Sequence, residues 1–271
     1  PREGPIQIIF LGPRIMARLL AKAKEVREAL YPVLQQSAFA ERGVLTPEEF
    51  VKAGDELVGK CPTWAWESGD ASRRKNYLPA DKQYLVTRDV PCAQRAKAVE
   101  GCGEDVDTEG DFVVPKVTTP SSTEAEVDDV CASLEEASLQ VADDAAAPAT
   151  LQTRRYDLSI TYDKYWQSPR MWLFGYNEQH APLTQKQALE DIVSAYALRT
   201  VTFERHPHLA DLPHASIHPC KHPQAMKRIL DQAARNGKGV DPAQALFFFL
   251  KFIANMIPTI DYDFTHDAVA G

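Results

Sequence analysis

No apolar stretch in this chain of 271 residues is long enough to span a bilayer. Its opening run, Ile6-Gln-Ile-Ile-Phe-Leu11, is short and is broken by Gly12-Pro13, whereas a spanning helix needs about 20 apolar residues. No signal-peptide cleavage pattern follows it. Cysteine is scarce and unpaired: Cys61, Cys92, Cys102, Cys131 and Cys220 are scattered, odd in number and free of any CxxC spacing. That excludes a complete disulfide framework and a standard cysteine zinc site, and favours reduced thiols in the cytosol. A basic excess is also missing. The formal net charge of −8 and a pI near 5.4 argue against a general nucleic-acid binder. Glycine, at thirteen residues against nineteen prolines, is too sparse for a flexible low-complexity chain. No internal repeat is visible, and Pro1 in place of methionine is expected of an engineered start or an incomplete gene reading.

Hydrophobic residues make up 44% and charged residues 25%, enough to bury the core of one large domain or two small ones. The charge is unevenly placed. Between Glu100 and Thr150 there are fourteen acidic residues and one basic residue, Lys116, a local charge of −13 that leaves the rest of the chain at +5. This strap is expected to be disordered in the main. Within it Val127, Cys131, Leu134 and Val141 approach helical spacing.

The spacing predicts an amphipathic helix from Ile15. At 100° per residue Ile15, Leu19, Ala23, Val26, Leu30 and Val33 fall within an arc of about 80°. Lys22 and Arg27 flank that arc, five basic and two acidic residues lie between Arg14 and Glu28, and Pro32 ends or kinks the helix. Thr46-Pro47-Glu48-Glu49 predicts a capped helix start, continuing through Phe50, Val51, Leu57 and Val58 to Cys61-Pro62. Strands are expected at 83–87, 155–162, 170–176 and 200–204, and helices at 185–196, about 223–235 and beyond Asp241-Pro242. Strands before helices predict an α+β domain with a mostly antiparallel sheet.

The densest chemical constellation is His206-Pro-His208, His214, His218-Pro219-Cys220 and His222. Taken plainly it is a histidine-rich loop. A metal reading rests on His218 and His222 four residues apart, against which stand Pro219 and the lack of an H-E-x-x-H frame. The third reading makes Cys220 a nucleophile: it stands just before a predicted helix, beside Lys221 and between two histidines, surroundings that favour a thiolate. Cys61 and Cys92 adjoin prolines and are expected to be packing residues, while Cys102 and Cys131 lie in the acidic strap.

Ala215-Ser-Ile-His-Pro-Cys-Lys-His222 resembles the active-site signature of the autophagy E2-like conjugating enzymes. Six further blocks match in order: Gly43–Asp55, Cys61–Trp64, Tyr84–Thr87 with Val90–Cys92, Arg155–Asp163, Trp172–Tyr176 with Thr200–Glu204, and Phe249–Phe252 with Ile257–Asp263. The resemblance implies a ubiquitin-conjugating-enzyme-like antiparallel sheet flanked by helices. It implies a division into an N-terminal extension with a membrane helix (1–35), a first part of the core (36–99), an acidic flexible region (100–150) and a second part of the core (151–271). Cys220 would accept a ubiquitin-like modifier as a thioester from an E1-like activating enzyme and pass it to the amine of phosphatidylethanolamine, with a modifier-ligase complex as further partner. No cofactor or metal is implied, and no nucleic acid.

On that resemblance His218 orients the site or takes the amine's proton, and Thr200 matches a family threonine near the cysteine. Ile15, Leu19, Lys22, Val26, Arg27 and Leu30 would meet a membrane; Val127, Val130 and Leu134 would meet the activating enzyme. A cytoplasmic protein at the periphery of forming autophagosomal membranes is the expected setting. The chain departs from the pattern in lacking a Trp-x-x-Leu docking motif, and in lacking the Asn of the His-Pro-Asn motif of ordinary ubiquitin-conjugating enzymes. Two other readings stand beside this one: a sister enzyme that modifies a protein lysine, and a non-catalytic membrane-associated scaffold.

Overall fold

The computed structural model describes residues 30–99 and 153–263, apart from 198, 211, 236 and 238. The strap, Cys102, Cys131, Val127, Val130, Leu134 and all of the predicted membrane helix before Leu30 lie outside the described residues. Leu30 itself is exposed.

Six antiparallel strands make one sheet in the order β1-β2-β3-β4-β6-β5: Ala65–Glu67, Tyr84–Cys92, Arg154–Asp163, Ser168–Tyr176, Val201–Glu204 and His214–Ile217 for β1 to β6. Because β2 pairs with β3, the segments on either side of the strap build the same sheet. Four helices carry the rest of the frame: α1 Pro47–Lys60, α2 Gln185–Glu190, α3 His222–Arg235 and α4 Ala245–Ala254.

The capping box forms as the sequence predicts: Glu49 N–H donates to Thr46 Oγ1 at 3.1 Å, and Thr46 N–H donates to Glu49 Oε2 at 2.8 Å. Helix α4 is apolar all round apart from Lys251, and a helix of that kind must be covered on every side. It is wedged between α1, α3 and β4, with Leu246, Phe247, Phe249, Leu250 and Ile253 fully buried.

Three expectations need correction. Strand β2 does not stop at Thr87. It bulges at Asp89, which takes a left-handed φ of 58° and donates its N–H to Asp157, and then resumes pairing from Val90 through Pro91 to Cys92. Pro91 is tolerated because β1 pairs only with Tyr84–Val86, so no partner seeks its missing N–H on that side. The short edge strand β1 carries too few residues for an alternation signal. The expected helix 185–196 is broken: α2 ends at Glu190 and a separate four-residue helix covers Ser194–Ala197. Asp191 between them is fully buried, ion-paired to Arg154 (2.9 Å) and Arg95 (3.3 Å), and accepts the Tyr156 hydroxyl at 2.5 Å. That tertiary demand outweighs local helix propensity. Lastly, the histidine-rich stretch is not one loop, since His214–Ile217 forms β6 and pairs with both β4 and β5.

Candidate functional site

Strand β6 delivers the chain to Cys220. Beyond Ile217, His218 N–H donates to the Thr200 carbonyl at 2.7 Å, which pins the strand's exit to the start of β5. The backbone then tightens into a 3₁₀ turn, Pro219–Lys221, before entering α3. Cys220 therefore sits inside the turn that leads into the helix rather than on a free loop ahead of it. Pro219 suits the first position of such a turn, where its missing N–H costs nothing. The N–H of Cys220 is capped by His218 Nδ1 at 3.2 Å, so the neutral imidazole carries its proton on Nε2. Cys220 is half-buried.

Two residues past the cysteine, His222 is buried. Its Nδ1–H donates to the Pro169 carbonyl at 3.0 Å, and its ring lies edge-to-face with Phe249 (5.4 Å) and Phe252 (5.5 Å). Burial, ahead of the charge of Arg170, pushes its pKa down to about 4, against the rise from the Pro169 hydrogen bond. The first residue of α3 is thus bolted to β4 and α4. On the other flank Gly43 (φ +66°) lies so close to α3 that a Cβ would stand 2.3 Å from the Pro223 carbonyl oxygen.

The histidines separate by place. His206, His208 and His214 form a buried aromatic patch with Tyr84, Trp172 and Phe174, away from the cysteine turn. His206 accepts the His208 N–H on Nδ1 (3.3 Å) and pairs through Nε2 with Ser159 Oγ (3.2 Å). Burial, then the neighbouring His214 and His208, pushes His206 down to about 2; burial, then Lys75, pushes His208 down to about 3. His206 and His208 are thus neutral core residues. Among the described residues no cluster of His, Cys, Asp or Glu is arranged to hold a metal ion. Only His218 stays with Cys220 as a candidate for chemistry.

Thr200 reaches the site through its backbone carbonyl, while its hydroxyl donates back to the Tyr196 carbonyl at 3.0 Å. Cys61 and Cys92 are both buried, and burial chiefly, with the nearby Asp191 carboxylate, pushes the Cys92 thiol up to about 11. A cavity of about 240 Å³ opens between α2 and the sheet, lined by Leu173, Gly175, Leu183, Phe203, Leu212 and Ala215 among others. None of its lining residues belongs to the 218–222 segment. No described helix is long and apolar enough to cross a membrane.

One neighbour of the site escapes the sequence reading. The turn 164–167 between β3 and β4 presents the Trp166 indole edge-to-face to the His218 ring, with centroids 5.7 Å apart at 75°. Tyr165 meets Trp166 at 5.1 Å, and Tyr31 meets Tyr165 at 5.0 Å. The sequence offers an aromatic pair in a turn but no sign that it meets His218.

Comparison with known proteins agrees with this geometry. Residues 49–264 match the family described as autophagocytosis associated protein, active-site domain. Among curated relatives, Autophagy-related protein 3 of Arabidopsis thaliana is 43% identical, aligned over 85% of this chain and 90% of its own length. The proteins of the same name from Dictyostelium discoideum (37% identical; 88% of this chain, 94% of theirs) and Schizosaccharomyces pombe (36%; 93% and 99%) are similar over comparable spans.

Proposed function

The chain belongs to the autophagocytosis-associated family of E2-like conjugating enzymes, and on that premise we propose that Cys220 carries a ubiquitin-like modifier and passes it to phosphatidylethanolamine. The observation that carries this reading is the setting of Cys220. It is the one described cysteine that is not buried, and it is held in a capped turn at the head of a bolted helix.

The chemistry is two acyl transfers. The Cys220 thiolate attacks the thioester that joins the modifier's C-terminal carbonyl to the activating enzyme, and that enzyme's thiolate leaves. The lipid amine then attacks the Cys220 thioester carbonyl; the C–S bond breaks, the amide forms, and the amine's proton leaves to solvent or a nearby base. Thioester exchange is nearly isoenergetic, so the protein's main task is to orient the reacting groups. His218 serves that task as the cap on the Cys220 amide, and Thr200 as the anchor of His218. We place the activating-enzyme contact at Val127, Val130 and Leu134. The membrane contact is placed at Ile15, Leu19, Lys22, Val26, Arg27 and Leu30, where an amphipathic basic helix suits an interfacial position. A modifier-ligase complex would act on the charged form at the membrane surface.

The deciding experiment is incubation with activating enzyme, modifier and ATP. The unaltered protein should form a DTT-sensitive adduct, Cys220→Ser an adduct resistant to DTT, and Cys220→Ala none. Full charging of the alanine variant refutes the assignment. A fall in charging for Cys61→Ala or Cys92→Ala should follow only from lost stability.

A further inference from the structure

We propose that Trp166 is a positioning residue for Cys220, acting through His218; the inference deepens the reading of Cys220 as the modifier-carrying thiol and rests on it. The near side of the cysteine turn is capped by one imidazole. Pro219 between His218 and Cys220 has no N–H, so the Cys220 N–H is the first donor of the turn, and His218 Nδ1 takes it at 3.2 Å. That bond exists only while the imidazole plane is correctly turned. The terminal torsion of a histidine side chain is broad and about two-fold, so the plane must be set by packing.

Trp166 supplies that packing, and its own mount is stiff. Asp163 Oδ1 accepts the N–H groups of both Tyr165 and Trp166 at 3.1 Å. Gln167, left-handed at φ 53°, gives its carbonyl to the Leu45 N–H at 2.8 Å and its side-chain oxygen to Arg42 at 2.5 Å. The Asp163 carboxylate also pairs with buried Arg170 at 3.4 Å. The turn 164–167 is fastened on both sides, and Tyr165 packs against the indole at 87°. A fixed indole in T-shaped contact with the His218 ring holds the imidazole in the one plane that caps Cys220. A small displacement of a reacting atom costs up to about a hundredfold in rate, so loosening this contact reaches the chemistry without touching substrate.

The test joins a spectroscopic signature to a kinetic one. In protein labelled with nitrogen-15, the N–H···N bond carries a scalar coupling between the Cys220 amide nitrogen and His218 Nδ1, observable without partners. That coupling should be present in the unaltered protein and in Trp166→Phe, which keeps an aromatic ring, and absent in Trp166→Leu and Trp166→Ala. Leu guards against a cavity that unfolds the turn, and the dispersion of the same spectra reports folding. Single-turnover discharge of the charged protein to a soluble amine should fall about tenfold in Trp166→Leu and recover to within about twofold in Trp166→Phe. In a His218→Ala background, Trp166→Leu should cause no further loss. Persistence of the coupling in folded Trp166→Leu, or an equal further loss in the His218→Ala background, overturns the proposal. If the unaltered protein forms no adduct at all, the function assigned to Cys220 fails, and the coupling still decides whether Trp166 sets His218.

Discussion

Mild acid should unfold this protein through three buried histidines. His206, His208 and His222 are held neutral by burial, with pKa values pushed down to about 2, 3 and 4. In the unfolded chain each returns to about 6.5. Between those limits the unfolded state binds more protons than the folded state, so stability is complete above the unfolded pKa and is lost as pH falls. At pH 5 all three are still neutral when folded, so their costs arise in the unfolded state alone and add. Each amounts to about 2 kcal/mol relative to pH 7, and the three to about 6 kcal/mol. At pH 6 the corresponding loss is only about 0.7 kcal/mol each, so the curve steepens as the solution becomes more acid. Asp191, raised by burial, works in the opposite sense and softens the slope. A total native stability of about 5–15 kcal/mol leaves little margin for such a loss.

Urea unfolding followed by tryptophan fluorescence at pH 7, 6 and 5 measures the effect directly. The midpoint should fall little in the first step and sharply in the second. His222→Gln, whose amide can still donate to the Pro169 carbonyl, should remove about one third of the pH dependence. A stability curve flat from pH 7 to 5 refutes the reasoning. So do folded-state imidazole resonances for these three residues that titrate near pH 6.5.

Three further outcomes are expected, the first from the structure and the other two from the sequence. Asp191→Asn should cost about 3–5 kcal/mol in chemical denaturation, because it strips the buried charge partner from Arg154 and Arg95; a loss below 1 kcal/mol contradicts the ion-pair account. Leu19→Asp or Val26→Asp should leave charging of Cys220 intact and stop transfer to phosphatidylethanolamine in liposomes. Normal lipidation, or loss of the fold by circular dichroism, assigns that helix to the core instead. Deleting residues 123–141 should slow charging while leaving discharge of a preformed thioester unchanged, and equal charging rates refute a role in meeting the activating enzyme.

What could be read from the sequence divides along physical lines. Local rules carried for the Thr46 capping box, the Asp241 cap, and the strands β3 and β4. They failed where a distant partner sets the answer. Nothing near Asp191 in the chain announces Arg154, 37 residues away, and so the break after α2 could not be foreseen. The strand at His214–Ile217 was hidden because its histidine looked like a ligand rather than a core residue. The cysteine turn itself was legible only as a motif. Its cap by His218 has the i to i+2 form of a local side-chain bond, but the ring that aims the cap comes from Trp166, 52 positions earlier in the sequence.

The histidines two positions before and two after Cys220 show how a motif of this kind earns its spacing. On the proposed function, a nucleophile on a half-buried turn served by macromolecular partners gains nothing from a deep cleft; the reacting carbonyl would arrive from outside and meet a sulfur already in place. Placement needs fixed backbone on both sides of the sulfur. His222 fixes the far side by sending its ring into the core between Phe249 and Phe252, a contact that works only while the imidazole is neutral. His218 fixes the near side at the surface, through the Thr200 carbonyl on its own N–H and the Cys220 N–H on its ring. The +2 position is therefore the one whose failure is global and acid-sensitive. The −2 position is the one whose failure is local and kinetic. Replacing His222 should show first in stability, and replacing His218 first in the rate at which a charged Cys220 gives up its modifier; the opposite pattern would mean that the two rings had been assigned to the wrong sides of the thiol.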